Sequence, residues 1–262
     1  MDLKNTNRGH RNNNPPNTNM ATLPASAQIA QFQSTIENLN GGYNLRNWSF
    51  AARSALLPQT TITLQVTERN GQKANIQVPK LALLAASPQF QRHMKHRPQD
   101  THIALIHQRL DADALRTIRS WLYSICTEPH FTRLPLEQDV EKMLALRLTA
   151  KIMGMAQYIT HVTESYICGL GLRIPPPSEL VTVVAFTRDR GVTDPALEAL
   201  ANRVAYLCTF HEVDADTESA YGEVLGDERF GRLLGAVKVE KVEAIRERGW
   251  MAVYRRVLAE YG

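Results

Sequence analysis

Residues 61–90 read TITLQVTERNGQKANIQVPKLALLAASPQF, and they constrain the fold more than any other stretch. Ile62, Leu64 and Val66 alternate with polar residues, the period of a half-buried strand. Asn70-Gly71 is a strong hairpin signal, and Ile76 and Val78 resume the alternation on a return strand. Pro79 holds Val78 extended and fits the first position of a helix, where a missing N–H costs nothing. Leu81, Leu84 and Ala85 form that helix's inner face. Ser87 then caps a second helix opened by Pro88, with Phe90 and Met94 turned inward. The expectation is a hairpin followed by two short helices placed end to end.

Downstream, residues 101–106 alternate again and predict a third strand. Asp111 caps a helix with the stripe Leu115, Ile118, Leu122 and Ile125, and Leu110 staples onto Leu115. The next helix is expected over Glu137 to Met153, with Val140, Leu144, Leu148 and Ile152 inward and Gly154 as its stop. Another is expected over Ala156 to Cys168. Pro175-Pro176-Pro177 marks a boundary, beyond which the pattern is helical throughout. Ser178 reads as one cap and Asp194-Pro195 as the next start. The last stretch, Val237 to Tyr261, repeats Val239, Val242, Ile245, Met251, Tyr254 and Leu258 inward, broken at Gly249. Before the hairpin, Ile29, Phe32, Ile36 and Leu39 stripe one face of a helix, stopped by Asn40-Gly41-Gly42. The first twenty residues hold seven asparagines and almost no large apolar side chain, too little to offset ordering entropy.

The expected class is therefore α+β, a short sheet flanked by helices and then an all-helical C-terminal region. Its parts are an Asn-rich disordered tail (1–27), a helical extension (28–60), a mixed domain (61–170) and a helical domain (178–262).

Three cysteines, Cys126, Cys168 and Cys208, make no disulfide framework. No apolar run approaches the roughly 18 residues that span a bilayer, and no apolar signal-peptide core opens the chain. The reading is a cytoplasmic or nuclear protein without membrane contact. The net charge of +4 is too small to argue for nucleic acid. His93, His96, His102 and His107 form no closed ligand set with cysteine, and Cys208 with His211 is half a metal site at most. The acidic pairs Asp214/Asp216 and Asp227/Glu228 fit helix starts. Ser165 and Ser219 sit in no nucleophile elbow. No catalytic, cofactor or metal residue is singled out, and no cofactor is expected. An all-helical enzyme or nucleic-acid binder is the competing class, opposed by the alternating strands.

The element order resembles the BTB/POZ family, and particular residues carry the likeness. VPKLALLAASPQF is similar to the family's V-H-K-x-x-L-x-x-x-S-x-x-F signature through Val78, Lys80, Leu84, Ser87 and Phe90, with Pro79 replacing histidine. IRSWLYS is similar to L-x-W-L-Y-T-G through Trp121, Leu122 and Tyr123, without its glycine, and AKIMGM to A-D-K-L-x-M through Ala150, Lys151 and Met155. The family's aspartate before the first strand is missing. An Asn-rich tail beside a single such domain resembles filamentous-fungal members. The resemblance implies a non-enzymatic protein-interaction module: a self-associating or partner-recruiting scaffold, or alternatively a substrate adaptor of a cullin ubiquitin ligase. It also implies that Ile29, Phe32, Ile36 and Leu39 supply a homodimer helix. Members that engage a cullin carry a hydrophobic-x-glutamate motif before the third strand. Here the best match, Met94-Lys95-His96, has histidine in the acid's place, which disfavours the adaptor.

Overall fold

The computed structural model describes residues 44–57, 61–68, 71–106 and 110–261, together with positions 27, 30 and 34; side chains are described up to 255 and not at 189–191. Ile29, Phe32, Ile36 and Leu39 lie outside the described residues, as does most of the expected tail and N-terminal helix.

The hairpin forms as its pattern requires. Strand β1 (Thr61–Thr67) pairs antiparallel with β2 (Lys73–Pro79), Ile62 opposite Val78 and Leu64 opposite Ile76. Gly71 takes φ +81° in the connection, a left-handed backbone that glycine adopts without strain. Helices α1 (Phe50–Ser54), α2 (Lys80–Ala86) and α3 (Pro88–His96) follow local rules. Ser49 caps α1, and Ser87 caps α3 by accepting from the Phe90 amide at 3.1 Å. Strand β3 (His102–Leu105) is shorter than expected and runs parallel to β1, giving the order β2-β1-β3. Ile106, expected within it, is 95 % exposed.

Helix α4 (Ala112–Thr127) packs on β2 with Leu115, Ile118, Leu122 and Ile125 all buried. Helix α5 (Val140–Ile152) starts three residues later than expected, because Asp139 caps it through the Lys142 amide. Its burial departs from one stripe. Leu144 and Leu148 are inside, Val140 and Ile152 only partly so, while Met143, Ala145, Leu146 and Ala150 are buried on other faces. The cause is position: Ala145, Leu146 and Ala150 belong to one core, and Met143 and Leu144 to a second.

The expected helix at 156–168 is instead a 3-10 turn (Ala156–Tyr158) and α6 (Thr160–Leu170). Val162, Tyr166, Ile167 and Leu170 of α6 pack with the C-terminal helices, and Leu45, Trp48, Ala52 and Leu56 pack with the sheet. The division of the core thus runs through α5.

The second core is built from α6, α7 (Pro177–Phe186), α8 (Pro195–Thr209), α9 (Ala215–Leu225), α10 (Gly231–Ala236), α11 (Val239–Arg248) and α12 (Trp250–Tyr261). Ser178 does not cap α7; Pro176 stands at the cap and Pro177 opens the helix. Asp194 and Asp214 cap α8 and α9, and Asp227 caps a 3-10 turn, so these carboxylates satisfy helix-start amides. Gly249 at φ +83° separates α11 from α12. Val242, Ile245 and Tyr254 are buried as expected, but Val239 is 68 % and Met251 42 % exposed, both at helix starts that project beyond the packed face. The Leu258 side chain lies outside the described set.

Candidate functional site

The residues of the family-like segments meet at one joint. Val78 and Leu122 are fully buried, Leu84 is 1 % exposed, Phe90 5 % and Trp121 3 %, and Ala150 and Met155 have no exposure. Counted from Val78, the signature's leucine falls at Leu83 instead of Leu84. Residues 81–86 are all buried, so burial does not separate the two. Ser87 is the centre of the joint. Its hydroxyl donates to the Met153 carbonyl at 2.5 Å while it caps α3. Gly154 turns there at φ +72°, and a Cβ on it would stand 2.8 Å from the Gln89 Cβ and 3.0 Å from Ser87 Oγ. The Gln157 amide donates to the Ala86 carbonyl at 2.8 Å, and the Leu45 amide to Tyr158 Oη at 2.9 Å. The paired helices, the end of α5 and the turn at Leu45 are thereby locked together.

Two signature positions are partly open. Lys80 Nζ donates to the Pro98 carbonyl at 3.2 Å; burial holds its ammonium below the ordinary lysine value, against an upward pull from Asp100. Tyr123 is half-buried, with the Arg119 guanidinium over its ring. Residues 94–96, expected in a loop, are the last turn of α3, because its backbone continues to His96; the turn that follows, 97–100, is pinned by Lys80 and by His93, which lies 3.0 Å from Asp100. Lys95, His96 and Arg97 are exposed, whereas Met94 is fully buried.

Sequence reading missed the polar pins. Arg53, 3 % exposed, donates from Nε to the Ile125 carbonyl at 2.7 Å, from Nη1 to Trp48 at 2.9 Å, and from Nη2 to Glu128 and Pro129 at 3.1 and 2.8 Å. The carbonyls at the end of α4 gain a cation where the helix dipole favours one. Trp121 Nε1 donates to Thr132 at 2.9 Å, and His161 Nε2 meets the Leu134 carbonyl at 2.8 Å. These three pins hold the irregular strap from Glu128 to Asp139. Arg147 forms a two-pronged ion pair with Asp194 at 3.0 and 2.9 Å, and Arg173 with Glu179, which also accepts from Tyr166.

Burial pushes the Cys126 thiol up to about 11 and raises Cys168 and Cys208 as well, the opposite of an activated nucleophile. Among the described residues no group of three or more His, Cys, Asp and Glu could hold a metal, and no helix is long and apolar enough to cross a membrane. His211 at the expected half-site faces Glu218 at 3.8 Å.

Two concavities lie on the second core. A groove of about 770 Å³ runs between α8 and α11, lined by Ala205, Phe210, Val237, Val239, Val242 and Arg246 among others. A neighbouring hollow of about 350 Å³, lined almost wholly by apolar side chains of α8, α9 and α10, shares Ala205 and Val237 with it. Leu234 (51 % exposed) and Val239 (68 %) stand on the rims. No protein-family model, curated protein or solved structure matches the chain.

Proposed function

We propose that this chain is a non-enzymatic protein-interaction module of BTB/POZ type that acts as a self-associating scaffold. The observation that carries the reading is the joint. Residues from three separated segments (78–90, 121–123 and 150–155) converge on one core around Ser87, in the element order hairpin, paired helices, third strand, helices. A fortuitous likeness confined to sequence spacing gives no reason for that convergence. The adaptor reading ranks second: Met94, the apolar half of its best local match, is buried, and its exposed neighbours are basic. Loss of a charged partner from a buried contact costs about 2–5 kcal/mol.

Light scattering on the full chain and on a deletion of residues 1–42 tests self-association, since the stripe Ile29, Phe32, Ile36 and Leu39 is the candidate contact. A dimer mass for the first and a monomer mass for the second is expected; monomers in both remove it. Calorimetric titration against a cullin N-terminal region is expected to give no measurable heat, and submicromolar binding would place the adaptor first.

A further inference from the structure

We propose that the outer edge of β3 (His102–Leu105) pairs antiparallel with the same edge of a second copy; this rests on the self-association reading and adds to it a contact that joins one dimer to the next. β3 ends the sheet, since the strand order is β2-β1-β3. The Thr63 amide donates to the Thr101 carbonyl at 2.8 Å, and Thr63 stands beside His102 in the register. In a parallel pair that bond fixes which groups turn inward: the amides of Ile103 and Leu105 and the carbonyls of Thr101 and Ile103 face β1. The N–H and C=O of His102 and Ala104 therefore point away from the sheet. They meet no hydrogen-bond partner among the described residues, where β1 is the one element that packs extensively on β3. Both side chains are exposed, and Ile106, next in the alternation, is 95 % exposed. An open row of main-chain donors and acceptors is completed by an extended strand. Folded proteins blunt such edges with lysine or proline, and residues 102–106 hold neither.

The edge is complementary to itself, which selects a second copy. A two-fold axis through Ala104 sets Ala104 against its own counterpart, His102 against the second copy's Ile106, and Ile103 against the second copy's Leu105. The outward residues then form the hydrogen-bonded pairs of an antiparallel ladder, so donors meet acceptors along its length. Ile103 and Leu105 are only partly buried against the first core, and across the axis each covers the open side of the other. Ile106 loses its exposure beside His102. Ala104 on the axis brings neither bulk nor charge against its counterpart, so no like charges are opposed. A contact of one short strand falls under the roughly 1,000 Å² of a stable interface. It therefore forms at high concentration and leaves the dilute mass to the contact through Ile29, Phe32, Ile36 and Leu39.

The test is light scattering and amide exchange by NMR on the full chain, dilute and about hundredfold more concentrated, since association follows mass action. The mass should rise above its dilute value. The Ala104 amide should exchange at least about tenfold more slowly in the concentrated sample, while the Ile103 amide, already bonded to β1, changes less. Ala104→Pro removes the outward N–H and spares the bonds to β1, a change an edge strand tolerates. It should stay at the dilute mass, whereas Ala104→Val, which keeps the N–H, should grow like the wild type. Growth without slowing at Ala104, or growth that survives Ala104→Pro, overturns the edge contact and leaves self-association standing. A mass that stays at the dimer throughout does the same. A monomer at every concentration overturns both. A dilute monomer that grows with these marks supports the edge and removes the contact through the Ile29 stripe. If Ala104→Pro loses its melt, the exchange measurement on the wild type decides alone.

Discussion

At Arg53 a buried guanidinium directs all four of its hydrogen bonds to main-chain carbonyls, those of Trp48, Ile125, Glu128 and Pro129. The fork geometry matters, because three nitrogens reach carbonyls on both sides of the end of α4. Lysine has one point charge and cannot span them. Arg53→Lys is therefore expected to cost at least about 2 kcal/mol in urea unfolding, since each carbonyl left buried without a donor costs about 1–3 kcal/mol. A loss below about 0.5 kcal/mol, the range of ordinary surface substitutions, would show that water reaches those carbonyls. Leu84→Ala provides the apolar counterpart: with 1 % exposure it should cost about 2–5 kcal/mol as a cavity. Only the second of these roles was legible in the sequence. Leu84 sits in an apolar run after a strand, whereas Arg53 gains three of its four partners from residues more than seventy positions away.

The strap from Glu128 to Asp139 is an element without regular structure, and its order depends on its pins. His161 is one of them. Burial holds its imidazole below the ordinary 6.5, the Leu134 contact pulls up, Arg133 and Arg46 push down, and Glu164 pulls up. Its Nδ1 is buried without a hydrogen-bond partner. The neutral ring is thus the form the fold prefers, so the unfolded chain binds the extra proton first. The contribution of His161 is full above pH 6.5 and is lost as the pH falls from there toward its lowered folded value. A melting temperature that declines below that pH is expected. His161→Gln, whose side-chain amide can still donate to the Leu134 carbonyl, should flatten the decline; an unchanged slope would assign it to other groups. Elements with local signals were legible: the β1–β2 pairing, the Ser87, Asp111, Asp194 and Asp214 caps, and the break at Gly249. Elements set by distant packing were not. β3 reads as a strand, but only its place beside β1 makes it parallel. The strap carries no period, and the open groove uses the same apolar spacing as a filled core, so spacing alone could not reveal it.

At the scale of the whole molecule, α5 decides whether the two cores unfold together. It gives Ala145, Leu146 and Ala150 to the first core and Met143 and Leu144 to the second, and Arg147 ties it to Asp194 at the start of α8. Asp194 is 2 % exposed and also caps α8 through the Ala196 amide at 3.0 Å, so breaking the pair disturbs the helix on which the second core is assembled. A helix shared in this way cannot leave one core without exposing apolar surface of the other. Native-state hydrogen exchange should therefore give the most protected amides of α4 and α8 the same opening free energy. Leu144→Ala, a change confined to the second core, should lower both by about 2–5 kcal/mol. Separable cores predict another result: α8 amides would lose protection while those around Ile118 and Leu122 kept theirs. That outcome would place a hinge within α5 and make the C-terminal helices, groove included, a unit able to open by itself.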